Sequence, residues 1–278
     1  MASRAIALLR RWAETRAAAD LLVIAGLFAW WLTARALPED IFPSPWNVLI
    51  TLVHYPADPN FLFNAFMSAV RVWLAVALSA AIGTAIALLP RYVAWTSTLV
   101  NEIVITFLNS FPGIAWSILG SIWFGLTFQA TLVVQILIIL PFTLVNVAEG
   151  IRTIGTEELE MARSFGRRPW AILWRIELPM LSPFILAGAR IAYGVCWKVS
   201  LVAELFGARN GLGYMMQDAM DLGRVDDIIA ICFSIVIFVA LGEWLVWGPL
   251  LRRSGNAAAT QGRFAPSRST VVSKRSAA

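Results

Sequence analysis

Charge is what this 278-residue chain has least of. Asp, Glu, Lys and Arg make up 14% of it and hydrophobic residues 59%, whereas a soluble globular domain carries about 25% charged residues. With a mean hydropathy of +0.73, the chain is too apolar to bury its surface in a soluble core, so it falls in the polytopic membrane class. Histidine is nearly missing too: His54 stands alone in a polar loop. The two cysteines, Cys196 and Cys232, lie in separate apolar runs without a spaced Cys/His set, so they read as inert packing residues and neither a disulfide nor a metal site is expected. An intramembrane enzyme would need a nucleophile with its base, or metal ligands, at membrane depth, and no such pair is present. The chain has no G-x-x-x-x-G-K-[ST] phosphate loop, so it is not itself an ATPase of that type, and no cofactor is expected. A net charge of +5 could suggest nucleic acid. However, the Lys and Arg cluster in the tails and in one central stretch, as the positive-inside rule expects of a membrane protein, so no nucleic-acid partner is assigned.

What is present is a series of six apolar runs. They cover about Leu21–Leu37, Asn64–Leu89, Val100–Phe124, Gln129–Val147, Leu181–Phe206 and Asp227–Leu251. Each is long enough for a membrane helix, and thirteen Trp suit a chain with many interfacial positions. The first run also permits a signal-peptide reading through Ala34-Arg35-Ala36, but more membrane sequence follows it rather than a secreted domain. Residues 38–62 form a Pro-rich loop with acids and no Lys or Arg, expected outside the cell, and residues 207–226 form a Gly-rich polar loop on the same side. The third run is interrupted at Asn109-Ser110-Phe111-Pro112-Gly113. That interruption reads either as a plain kink or as a helix break lining a pathway, with Pro112 and Trp116 the residues to watch. No internal repeat suggests an inverted-repeat carrier.

Sixteen of the 22 Lys and Arg fall in the N-terminal tail, the Arg91 link, the central stretch and the C-terminal tail. Both termini and the central stretch are therefore expected in the cytoplasm. Residues 1–20 form a cytoplasmic tail, and residues 253–278, rich in Ser, Ala, Gly and Arg, read as a disordered one. Charges inside the apolar runs are costly and invite explanation. Arg71 and Arg190 are expected to snorkel from span ends. Lys198 either faces an internal cavity and attracts an anionic solute, or pairs with an acid or carbonyl on a neighbouring span, or snorkels. Glu204 lies near the outer end and reads as structural or gating.

The central stretch, about residues 150–179, reads as two short amphipathic helices. Thr156 can cap the first, with Glu157 and Glu158 in its positive first turn. Leu159, Ala162 and Phe165 recur at helical spacing, Arg163 falls in the last turn and Gly166 fits a left-handed stop. Pro169 suits the start of a second helix carrying Trp170, Leu173, Trp174 and Ile176, and Pro179 is expected to end it. Neither helix is long enough to be stable alone, so the pair needs a surface: lipid headgroups or another protein.

The spacing Glu160-Met161-Ala162-Arg163-Ser164-Phe165-Gly166, nine residues, then Ile176-Glu177-Leu178-Pro179 resembles the E-A-A…G…I-x-L-P loop of permease subunits of binding-protein-dependent ABC importers. Met161 departs from it, standing where the family commonly has a second Ala. Phe42-Pro43-Ser44-Pro45-Trp46-Asn47-Val48, Ala115-Trp116 and Gly211-Leu212-Gly213-Tyr214 are similar to segments of the sulfonate/nitrate/taurine branch, although Ile118 stands where that branch usually has proline. The resemblance covers about residues 20–252. It implies an all-α, six-helix type I permease domain over residues 21–252 in a bacterial inner membrane. It also implies that Glu160, Ala162, Arg163, Gly166, Ile176, Leu178 and Pro179 couple the chain to cytoplasmic ABC ATPase subunits. The other partners implied are an external solute-binding protein, a second permease copy and membrane lipid. The cargo implied is a small organic anion such as a sulfonate, taurine or nitrate. The alternatives are the membrane subunit of another system (an exporter, a vitamin-type importer, a channel or a secondary carrier) in which the central stretch is an interfacial hairpin. If the loop couples, Gly166→Val inserts normally but uncouples transport from ATP hydrolysis; normal ligand-stimulated ATPase activity in reconstituted vesicles would contradict this.

Overall fold

The computed structural model describes residues 2–93, 95–153 and 169–250, with side chains from residue 18 onward except at 169. Every regular element among them is helical. α1 (Ala2–Ala36) contains the first spanning segment, Ala18–Ala36. α2 (Pro45–His54) lies in the outer loop, followed by a 3₁₀ turn, Tyr55–Ala57. The second span is α3 (Pro59–Tyr92); the third is split into α4 (Thr96–Ser110) and α5 (Gly113–Phe124); the fourth is α6 (Phe128–Thr153). The fifth is α7 (Trp170–Gly207), preceded by Pro169 in its first turn, and the sixth is α9 (Val225–Leu250), with the short α8 (Leu212–Asp221) between them.

The six apolar runs all appear as helices, with four differences. The outer loop 38–62 and the polar loop 207–226 each contain a helix. α2 starts on a sequence signal, because Ser44 accepts a hydrogen bond from the Asn47 N–H (3.2 Å) and Pro45 follows in the first turn. The interruption of the third run is a true break: α4 and α5 meet at 86°. Phe111 and Pro112 are extended there, since proline offers no N–H to continue the ladder. The fourth difference is that Pro179 does not end a helix. Residues Leu173–Glu177 form a π-helical turn in which the Leu178 N–H reaches back five residues to the Leu173 carbonyl, and Leu178 itself is helical (φ −62°, ψ −42°). The widened turn relieves the clash of the proline ring with the carbonyl four residues earlier, so the helix runs on through Pro179 into the fifth span.

α6 sits at the centre, packed most extensively against α3 and α7. Its neighbours approach closely through small residues: a Cβ on Gly83 or Gly188 would press on Thr143 of α6. Ser79 and Thr143 exchange a buried hydrogen bond (3.2 Å), and Gln135 donates to Ser200 (3.0 Å). α1 stands apart, its spanning segment almost wholly exposed and held by Trp30, which donates to the Pro43 carbonyl (3.1 Å) and stacks on Phe233. α2 is tied to the start of α9 by Thr51 to Asp226 (3.2 Å) and Tyr55 to Asp227 (3.1 Å). Burial and the Asp227 carboxylate push the Tyr55 phenol well above its ordinary pKa, so it stays a neutral donor. His54, the last residue of α2, bonds the Ile50 carbonyl (2.8 Å).

The end of the core away from the I-x-L-P segment, the one expected to face outward, is closed by a buried ion pair. Arg71, 1% exposed, donates to the Glu204 carboxylate (2.9 Å) and to the Asn210 carbonyl (2.9 Å) instead of snorkelling. Its Phe128 neighbour lies 5.1 Å from the guanidinium. Glu204, fully buried, also accepts from Ser68 (2.7 Å), Ser200 (3.1 Å) and the Gly213 N–H (3.0 Å). Ser68 in turn accepts from the Leu212 N–H, and Asn64 from the Gly211 N–H. Gly211 has φ +114°, and a Cβ there would strike the Glu204 carboxylate, so only glycine fits this turn. Removing one partner of a buried pair leaves an unmatched charge, which typically costs about 3–5 kcal/mol. Glu204→Ala is therefore expected to lower the melting temperature of the purified protein sharply. Arg152→Ala, which removes an exposed pair with Glu149 (3.7 Å), should change stability by no more than about 1 kcal/mol; equal effects would contradict the network's role.

Candidate functional site

Of the expected coupling residues, Glu160, Ala162, Arg163 and Gly166 lie outside the described residues. The I-x-L-P half is described and grows directly into α7. Leu173 and Leu178 pack on the core cluster of Ala87, Leu88, Val100, Leu144, Val147 and Leu181, and Ile176 packs on buried Ile172. Pro179 is exposed on the first turn after the π-helical segment. Trp170 and Trp174 are exposed, 69% and 57%, with their rings 5.7 Å apart. Large indoles are thus left uncovered beside a tightly packed apolar side. They flank an open apolar groove of about 570 Å³ between α3 and α7, bounded by Thr84, Leu88 and Tyr92 on one side and Trp170 and Trp174 on the other.

Glu177, inside the I-x-L-P segment, was not singled out by the motif. It is 3% exposed. Its carboxylate accepts from the Tyr92 hydroxyl (3.0 Å) and faces Arg91 Nε (3.6 Å), both at the inner end of α3. Sequence spacing gave no warning of this contact, because the partners lie some 85 residues away.

The four pathway candidates separate. Pro112 caps α5 and makes the break. Trp116 is buried against Phe111 (ring centroids 4.4 Å), Val134 and Ala203, so it packs the elbow between α4 and α5. Glu204 belongs to the buried outer network and reaches no open surface. Lys198 differs from the others: it is exposed about three-quarters of the way along α7 and makes no ion pair or hydrogen bond among the described residues. At helical spacing it shares a face with Gly194 and Leu205; Arg209 lies beyond the end of α7, after the extended Ala208. A Cβ on Gly194 would meet nothing within 4 Å. At the outer end of that face, Leu205 and Arg209 line a polar pocket of about 320 Å³ completed by Tyr214, Gln217, Asp218 and Asp221. Arg190, expected to snorkel, instead grips Glu243 of α9 through two nitrogens, Nε at 2.9 Å and Nη2 at 2.8 Å. Cys196 is buried in the core and Cys232 is exposed; both are free.

Residues 79–246 match the family described as binding-protein-dependent transport system inner membrane component. A Methanocaldococcus jannaschii protein named as an ABC transporter permease is 30% identical over 206 residues, 72% of this chain and 76% of that one. The taurine transport system permease protein of Escherichia coli K12 is 28% identical, covering 78% of this chain and 81% of the relative. A protein of the same organism named for aliphatic sulfonates transport is 26% identical over 81% and 89%. Among solved structures, an inward-facing MetNI methionine ABC transporter chain superposes with a TM-score of 0.55 at 18% identity, covering 75% of this chain and 96% of that one, which shows a shared fold. The chain thus belongs to the binding-protein-dependent transport system inner membrane components and is an inner-membrane, multi-pass permease of an ABC importer.

Proposed function

We propose that this permease carries a small organic anion of the sulfonate type, and that it does so as one of two permease copies driven by cytoplasmic ATPase subunits and fed by an external binding protein. The names of the relatives support the cargo class, and Lys198 is the observation that carries it. An ammonium at membrane depth is costly unless it is paired or faces water. Here it is exposed on the wall of a span with no partner among the described residues, as a cation lining an anion path would be. Arg209, just beyond the end of α7, offers a second positive group in a pocket that it shares with Asp218 and Asp221.

Both termini and the coupling loop lie in the cytoplasm in this reading. ATP-driven closure of the ATPases draws the loops of the two copies together, and the spans open outward to receive the solute. Glu160, Ala162, Arg163, Gly166, Ile176, Leu178 and Pro179 form the docking element. The chain supplies positioning and a polar route, and the hydrolysis belongs to its partner.

The test is uptake of labelled taurine and ethanesulfonate by vesicles holding the assembled transporter and its binding protein. Lys198→Met should cut maximal uptake at least about tenfold, the factor for ~1.4 kcal/mol of lost attraction, with ATPase stimulation by the binding protein retained. Unchanged uptake in Lys198→Met would end the anion-path assignment, and uptake of neither solute by the unaltered transporter would end the cargo class.

A further inference from the structure

We propose that Glu177 is a positioning residue through which movement of the coupling segment is handed to the second span, so that α3 and α7 swing as one body. The proposal rests on the coupling-loop reading and adds a residue that the motif leaves free.

Three observations carry it. First, α3 and α7 are joined by charge at both ends. The outer joint is Arg71 with Glu204 (2.9 Å); the inner one is Tyr92 and Arg91 with Glu177 (3.0 and 3.6 Å). Arg71 and Arg91 lie roughly 30 Å apart along α3 at ~1.5 Å per residue, about the thickness of the hydrocarbon core. Two helices fixed to each other on both sides of the bilayer cannot tilt independently.

Second, both carboxylates are buried, with side-chain exposures of 4% for Glu177 and 0% for Glu204. A buried carboxylate is costly without its partners, so separating the helices at either joint would strand a charge. Around the open groove the apolar contacts between α3 and the start of α7 run through Ala87, Leu88, Leu173 and Leu178. Such contacts can slide, and the polar contact adds a directional tie beside them.

Third, Glu177 closes the π-helical turn Leu173–Glu177, directly between the exposed tryptophans and the straight part of α7. A π turn is wider than an α turn and is a place where a helix can change register or direction. Without a lateral tie, a push on Trp170 and Trp174 could be absorbed in that turn. Glu177 pins the turn to α3, so the push is transmitted. The sixth span shows the same arrangement: Glu243 opens the π turn Glu243–Trp247 and is held by Arg190 of α7.

The experiment uses the assembled transporter in vesicles and measures solute moved per ATP hydrolysed, normalised to folded complex. Labelled taurine is the probe, or ethanesulfonate if that is the solute taken up. Glu177→Ala should keep stimulated ATPase activity while the transport-to-hydrolysis ratio falls at least about fivefold, the lower end of measured coupling energies. Glu177→Gln, which can still accept from Tyr92, should lie between. The exchanged pair Arg91→Glu with Glu177→Arg should recover part of the ratio. A structural role alone would reduce the yield of complex and leave the ratio intact, so an unchanged ratio in Glu177→Ala, or in Glu177→Gln together with Tyr92→Phe if the alanine variant does not assemble, overturns the proposal. Gly166→Val serves as the reference: if it uncouples and Glu177→Ala does not, only this proposal fails, whereas if Gly166→Val stays coupled, the coupling-loop reading fails with it.

Discussion

A carboxylate and a guanidinium buried together within a membrane protein can exist only where the chain closes around them completely. Arg71 and Glu204 impose that condition on the outer half of this permease. Satisfying Glu204 requires Ser68 from α3, Ser200 from α7 and the Gly213 N–H from the turn before α8; satisfying Arg71 requires the Asn210 carbonyl as well. One charge pair therefore sets the relation of α3 to α7, draws the 210–213 segment into the core and forces glycine at position 211. α6, held by Gln135 to Ser200, joins the same network. The polar contacts specify one arrangement among spans whose apolar faces alone would pack in several ways.

From that closed end, α7 runs as one helix to the exposed tryptophans on the other side. The continuity depends on the π turn at Leu173–Glu177, which lets the helix pass through Pro179. Without it, the coupling segment would be a separate hairpin and movement at the ATPase would reach the spans only through flexible chain. With it, the coupling surface and the face carrying Lys198 belong to the same rod. In the proposed reading, transport direction and solute selectivity are set at opposite parts of a single element: force would enter at Trp170 and Trp174, and the solute would meet Lys198.

The spans were legible in the sequence because hydropathy over twenty residues is a strong signal, and the broken third span was legible in Pro112-Gly113 because proline and glycine act locally. The family resemblance was legible because coupling spacing is a local register. The burial of Arg71 was not, since its partner is 133 residues away and an arginine near a span end has the same local signature whether it snorkels or pairs. Arg190 with Glu243 failed for the same reason. α2 and α8 were hidden in segments rich in turn-forming residues, where caps such as Ser44 were present but outweighed by proline and glycine. Pro179 misled because a rule about adjacent residues cannot foresee a π turn that makes room for the ring. Of the coupling loop, the half that carries Gly166 rests on sequence spacing, while Ile176, Leu178 and Pro179 have a described setting.

The central claim is that α7 transmits movement across the membrane as a rigid rod. Distances between spin labels on the two copies of the assembled transporter test it most directly. Labels at positions 175 and 206, in a Cys232→Ser background because Cys232 is exposed whereas Cys196 is buried, report the two ends of α7 and leave Trp170 and Trp174 in place. ATP binding should shorten the distance between the two labels at 175 and lengthen that between the two at 206 in the same titration. Closure at position 175 with no change at position 206 would contradict the account.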